Sequence, residues 1–224
     1  MSSPVTVAVI CEGYTEQTFI REVLAPSLWN RNIFLEYPLL GRPGHKGGNV
    51  EFKRALSDIG IFLKQRPDIF VSTMFDLYGI DSDWPGVSEL HKGMAPSHKA
   101  ELVEARTVAS VKDNLPLLDI ERRFIPYVAV HEFEALLFSD PAILASHLGV
   151  KPVTVERILQ ECREPEAIND NPNTAPCKRI EALTPGFRKT VKGRAIAEEI
   201  GVKTMREKCP HFDSWINRLE ALAQ

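Results

Sequence analysis

A chain of 224 residues, 44% hydrophobic and 25% charged, is long enough for one large domain or for an ordinary domain with a small second lobe, and this composition excludes disorder and a fibre. A formal net charge of -3 gives the whole chain no basic signature, so any contact with nucleic acid has to rest on a local patch. Four cysteines with no Cys-x-x-Cys pair and no matching histidine spacing speak against zinc, and without a leader-like start or an apolar run near ~18 residues the expectation is a cytoplasmic protein with no membrane contact.

Val5 to Ile10 is almost wholly apolar and mostly β-branched, which predicts a strand buried on both faces. Glu12 stands at its C-terminal end, Gly13 permits a sharp turn, and Thr15 is the expected N-cap of a helix reaching about Trp29. Phe19, Ile20, Val23 and Leu24 give that helix a buried stripe, and Pro26 bends or closes it. A carboxylate at the end of a strand in an open α/β sheet lies where such folds bind ligands, and Glu16 on the first helical turn reaches the same space. The competing reading is a pair of solvated acids favoured by the helix dipole.

Ile33 to Leu40 reads as a second strand, with Pro38 arguing for an edge position. Gly41 to Asn49 is the most loop-like stretch and carries Arg42, His45 and Lys46; Asn49 caps a helix expected over Val50 to Lys64. A glycine-rich basic loop entering a helix can cradle a phosphate, although the spacing matches neither Walker A nor G-x-G-x-x-G. Phe70 to Phe75 is the third strand, and Asp76 follows it as Glu12 follows the first. In the loop from Leu77 to Gly86, Asp81 and Asp83 read mainly as hydrated turn residues.

A helix from about His98 to Leu115 and a fourth strand from Phe124 to Val130 come next, the latter running into His131-Glu-Phe-Glu134. Glu132 and Glu134 share a face if the strand continues and diverge by about 200° if a helix has begun. From Pro141 the β patterning stops. Short helical segments near 142–148, 153–163, 176–183, 192–200, 202–208 and 211–223, broken by Pro152, Pro165, Pro172, Pro176, Pro185 and Pro210, predict a helical C-terminal lobe, 141–224, after an α/β domain, 1–140, with a four-stranded, mostly parallel sheet. The lobe concentrates base, including Lys178, Arg179, Lys189 and Lys192, either as a solvated face or as a track for a phosphate backbone.

Strand–Glu-Gly-x-x-Glu–helix followed by strand–Asp resembles the Toprim domain of topoisomerases, primases and overcoming-lysogenization-defect-type nucleases. Val9-Ile-Cys-Glu-Gly-Tyr-Thr-Glu16, Gly41-Arg-Pro-Gly-His-Lys-Gly-Gly48, Thr73-Met-Phe-Asp-Leu-Tyr-Gly79, His131-Glu-Phe-Glu-Ala-Leu-Leu-Phe138 and Asn173-Thr-Ala-Pro-Cys-Lys-Arg-Ile180 together look like a Toprim-like bacterial family, domain-of-unknown-function family 4276, over nearly the whole chain. The resemblance implies a Rossmann-like sheet. It matches Glu12 to the Toprim glutamate, Glu16 to the second glutamate of the nuclease-type subgroup and Asp76 to the first aspartate of the Asp-x-Asp pair. Tyr78 stands where the second aspartate belongs, which leaves one metal position to Asp81, Asp83 or Glu134, or leaves it empty. Glu132 and Glu134 resemble the extra acid of such nucleases, which often accompany an ATPase in anti-phage defence.

Carboxylates gathered at one sheet edge repel one another unless their pKa values rise or a cation binds, and oxygen-only ligands favour Mg²⁺ or Mn²⁺. The leading expectation is a metal-dependent, nuclease-like protein that cleaves phosphodiesters in DNA or RNA. Glu12, Asp76 and Glu134 would hold metal, with Glu132 beside them and Glu16 as a further ligand or general base. Arg42, His45, Lys46, Lys178, Arg179, Lys189 and Lys192 are the candidate phosphate contacts. The alternatives are a non-catalytic regulatory partner of an ATPase and a hydrolase or transferase acting on a small phosphate ester in a closed pocket.

Overall fold

The computed structural model describes residues 3–41, 50–168 and 174–224. Its sheet is laid out on β1 (Val5–Cys11), which pairs in parallel with β2 (Ile33–Glu36) on one side and β3 (Phe70–Asp76) on the other. Val5 lies opposite Ile33, and Val7 opposite Phe70. β4 (Phe124–Ile125) and β5 (Val128–Ala129) both pair in parallel with β3, for an order β2-β1-β3-β4. The expected parallel α/β sheet is present, with its fourth strand in two pieces. Pro126 has no N–H to give the ladder, and the Thr73 hydroxyl bridges the break by bonding both the N–H and the carbonyl of Tyr127 (3.1 Å each). Val7 to Cys11 are fully buried, as an apolar β-branched run covered on both faces requires.

The helix after β1 departs from expectation at its start. Gly13, not Thr15, holds the N-cap position of α1 (Tyr14–Phe19), and the Glu16 carboxylate reaches back to accept the Gly13 N–H (3.0 Å). α1 runs through a π-type turn, Ile20–Leu24, into α2 (Ala25–Leu28). Pro26 lacks an N–H and its ring crowds the carbonyl four residues back, so the widened turn before it is the accommodation.

α3 (Phe52–Gln65), α4 (Pro96–Asn114) and α5 (Ile120–Arg123) cover one face of the sheet around Ile10, Val71, Phe75, Ile59, Val103 and Phe124. The other face carries α1 together with α6 (Pro141–Leu148), α7 (Pro152–Cys162), α8 (Pro176–Leu183), α9 (Arg194–Lys208) and α10 (Pro210–Ala221). There Val9, Met74, Phe19, Phe133, Ile196 and Phe212 share a second core. Pro152, Pro176 and Pro210 open helices rather than break them, because the first turn needs no donor from its N–H. Gly201, at φ 75°, kinks α9 where two segments were expected.

α10 is seated on the sheet by buried polar bonds. Trp215 stacks on Tyr127 (4.3 Å between centroids, 10°) and donates to Ser72 Oγ (3.0 Å). Glu104 accepts the Val128 N–H (2.9 Å) and meets His211 Nε2 (3.0 Å), while Glu166 accepts the N–H groups of His211 and Phe212 (2.9 Å each) in the first turn. Among the described residues no helix is long and apolar enough to cross a membrane.

Candidate active site

Neighbouring parallel strands that end at one level bring their last side chains together. Cys11 pairs with Met74, so Glu12 and Asp76 emerge side by side. The Glu12 N–H donates to the Met74 carbonyl (3.2 Å), and the Asp76 N–H donates to Glu12 Oε2 (3.0 Å). Glu16 enters from the first turn of α1. After β5, His131 takes a left-handed conformation (φ 68°) and turns the chain; Glu132 is extended, and a 3-10 helix, Phe133–Ser139, begins. The Phe133 N–H donates to Asp76 Oδ1 (3.1 Å), which fastens this third strand end to the second.

The C-terminal helices complete the cluster. Cys177, in the first turn of α8, gives Glu132 both its N–H (3.1 Å) and its thiol proton (3.2 Å). Lys189 opens a π-type turn before α9 and sets its Nζ 3.0 Å from Glu134 Oε1. Of the two arrangements open for Glu132 and Glu134, neither a shared strand face nor a plain α-helical divergence describes the chain, because the turn at His131 and the 3-10 helix lie between. The two carboxyls take different partners, Cys177 and Lys189, yet both act on Asp76.

Burial first, and charge second, explains the titration of the cluster. Burial pushes the Asp76 carboxyl well above the usual range, and Glu16, Glu12, Glu134 and Glu132 add repulsion. Glu12 is raised by burial, against the Asp76 N–H and Lys189; Glu16 is raised by burial and by Glu12. Glu134, 1% exposed, rises to about 6 through burial, although Lys189 opposes it. Burial works against the Lys189 ammonium, but Glu134 and Glu132 outweigh it and hold its pKa above the ordinary lysine value. Burial and the Glu132 bond push the Cys177 thiol up to about 12, so it stays a proton donor.

These raised values predict how stability varies with pH. Folded carboxyls with raised pKa keep protons that the unfolded chain has released, so their contribution is complete below the unfolded carboxylate range, near pH 4, and is lost as pH climbs through about 6 for Glu134. Without added metal, urea midpoints should fall between pH 4 and pH 7. The same scan on the Glu134→Gln chain should show a shallower fall.

Sequence reasoning missed Gly79 and Cys177. A Cβ on Gly79 would overlap both Glu12 carboxylate oxygens, so only glycine leaves room for that side chain; a glycine soon after a strand-ending acid was the available signal. Gly79→Ala should displace the Glu12 carboxylate from the Asp76 N–H at a cost of about 1 kcal/mol, the worth of one such bond. Chemical denaturation would measure that small loss, and the Asp76 N–H should exchange faster with solvent. Cys177 lies inside the Asn173–Ile180 motif, but its role depends on where α8 packs.

Among the other expected contacts, Lys178 is exposed and pairs with Glu181 (2.8 Å). Arg179 bonds the Thr174 carbonyl (3.1 Å) and Glu161 (3.4 Å), and Lys192 is exposed. Asp81 accepts from the neighbouring Ser82 hydroxyl (3.2 Å). Arg42, His45 and Lys46, with the expected cap Asn49, lie outside the described residues.

Among the described residues no group of three His, Cys, Asp or Glu side chains is arranged to hold a metal ion. The carboxylate oxygens are turned instead onto the N–H groups of Gly13, Asp76, Phe133 and Cys177 and onto Lys189. The donor chemistry fits a hard divalent cation, since Glu12, Glu16, Asp76, Glu132 and Glu134 offer only carboxylate oxygen and repel one another in its absence. A match to the family described as "Domain of unknown function (DUF4276)" covers residues 11–220. No curated protein and no solved structure matches the chain.

Proposed function

The chain belongs to this family of unknown function, DUF4276, and we propose that its acidic site performs divalent-cation-dependent cleavage of phosphodiesters in nucleic acid. The observation that carries the reading is the meeting of Glu12, Glu16, Asp76, Glu132 and Glu134 at one sheet edge with Lys189 against them, an excess of negative charge that asks for a cation. Glu12, Asp76 and Glu134 would hold Mg²⁺ or Mn²⁺, with Glu16 and Glu132 flanking. A cation bound there would polarise a phosphodiester and lower the pKa of water.

The chain's own residues supply the rest of the mechanism. Glu16, its pKa raised by burial and by Glu12, would take a proton from an attacking water. Lys189, partly exposed beside the acids, would turn from Glu134 to a phosphate oxygen. The backbone N–H groups on Glu12, Asp76 and Glu132 hold those carboxyls in place before substrate arrives. The Toprim-like relationship, a role in anti-phage defence and an ATPase partner belong to the same proposal and rest on the sequence motifs.

Binding of Mn²⁺ tests the reading apart from turnover. A ligand at 100 times its Kd stabilises a fold by about 2.7 kcal/mol. Millimolar Mn²⁺ should therefore raise the melting temperature clearly at pH 8 and far less at pH 5, where protons occupy the carboxyls. A second reading, a non-catalytic partner of an ATPase, is favoured by Tyr78 in the expected place of an acid and by the absence of a ready-made metal group among the described residues. No calorimetric heat with millimolar Mn²⁺, and no cleavage of DNA or RNA, would decide for it.

A further inference from the structure

A cavity of about 530 Å³ opens between the turn that follows β3 and the first turns of α4. It shares the chain with the site: Leu77 and Tyr78 follow Asp76, and His131 precedes Glu132. Leu77, Val87 and Leu90 give it apolar walls, and Tyr78 presents a ring that is 40% exposed, tilted 5.0 Å from the His131 ring. Its described lining also holds His91, the exposed Lys92 and the buried Lys99, and no acid.

The wall is built rather than loose. Trp84, 2% exposed, anchors the loop by bonding Thr107 Oγ1 (2.7 Å) and meeting Phe75 and Phe52 edge-on. Arg106 clamps Glu89 through two bonds of 2.7 Å. A pocket of this size with apolar walls, a part-exposed aromatic ring and an exposed lysine in its lining fits a planar ligand that also carries negative charge.

We propose that this cavity is a nucleotide subsite: it takes one unstacked base against Tyr78 with the adjoining phosphate toward Lys92, and so directs the next phosphodiester to the acidic cluster. The proposal rests on the phosphodiester reading above for its direction, but the pocket binds whether or not cleavage follows. A base held out of its stack restricts the substrate to a single strand, a frayed end or a free nucleotide, because a closed duplex offers no base to the pocket.

Fluorescence anisotropy with a labelled oligodeoxyadenylate, in Ca²⁺ so that binding is read without cleavage, tests this on the full chain. Tyr78→Ala should weaken binding about tenfold, as expected for the loss of one stacked base, while Tyr78→Phe, which keeps the ring, should bind as the parent does. The exposed position of Tyr78 lets the alanine chain fold, which an unchanged melting curve would verify. Competition by adenosine monophosphate would identify a free-nucleotide pocket; competition by unlabelled single strand alone would identify a strand subsite. Equal affinity of Tyr78→Ala and the parent, or preferred binding of the duplex form, would overturn the subsite. Tyr78-dependent binding in a chain that never cuts would instead remove the hydrolase reading and leave the pocket standing.

Discussion

Asp76→Asn should abolish cation-dependent cleavage and at the same time make the metal-free protein more stable. Asp76 receives repulsion from Glu16, Glu12, Glu134 and Glu132 and accepts the Phe133 N–H on Oδ1, which an asparagine carbonyl can accept equally well. The substitution therefore removes a poorly tolerated charge without emptying space or orphaning a donor. Relief of about 1 kcal/mol would appear as a rise of about 2–4 °C in melting temperature for a chain of this size. Loss of a central cation ligand should lower the cleavage rate by about 10³-fold or more, roughly 4 kcal/mol of barrier. Nicking of supercoiled DNA and cleavage of labelled RNA in Mn²⁺, followed on the same preparations as the melting curves, measure both. An asparagine chain that cuts at the parent's rate would remove Asp76 from the reaction. One that melts lower would show that the cluster's repulsion is already relieved in the resting protein.

Lys189→Met should do the opposite to stability. Glu134 is 1% exposed and Lys189 stands 3.0 Å from it, so methionine leaves a buried carboxylate without its counter-charge. Breaking a fully buried pair costs about 3–5 kcal/mol; the Lys189 side chain is 39% exposed, and solvent screening brings the expected loss nearer 2 kcal/mol. Without the ammonium, the Glu134 pKa should climb beyond about 6, so the deficit should be smaller at pH 5, where the carboxyl is protonated, than at pH 8. Adding Glu134→Gln to the same chain should recover most of the loss, and a double-mutant cycle by urea denaturation isolates the coupling. If the two single substitutions simply add, the ion pair contributes nothing and the neutralising charge must come from elsewhere. Mn²⁺ should stabilise Lys189→Met more than the parent, because the cation then meets the acids without a competing ammonium.

The sequence by itself determined the α/β class, the parallel sheet, the positions of Glu12 and Asp76 at strand ends and the switch to helices after residue 140. Each of these is a local matter: β-branched runs, the periodic apolar stripe and the first acid after a strand are written within a dozen residues. Local rules also misled where two of them competed. Thr15 reads as a cap, but Glu16 reaches back to Gly13 first; the prolines of the helical half read as breakers, but a first-turn position costs them nothing. Only the tertiary structure decided that Glu132 would meet Cys177, that Glu134 would meet Lys189 and that Glu12 would need Gly79 to lack a side chain. Those partners lie 45, 55 and 67 positions apart; the packing of a helical layer against the end of the sheet joins the first two and the pairing of β1 with β3 the third, distances that no periodicity along the chain records.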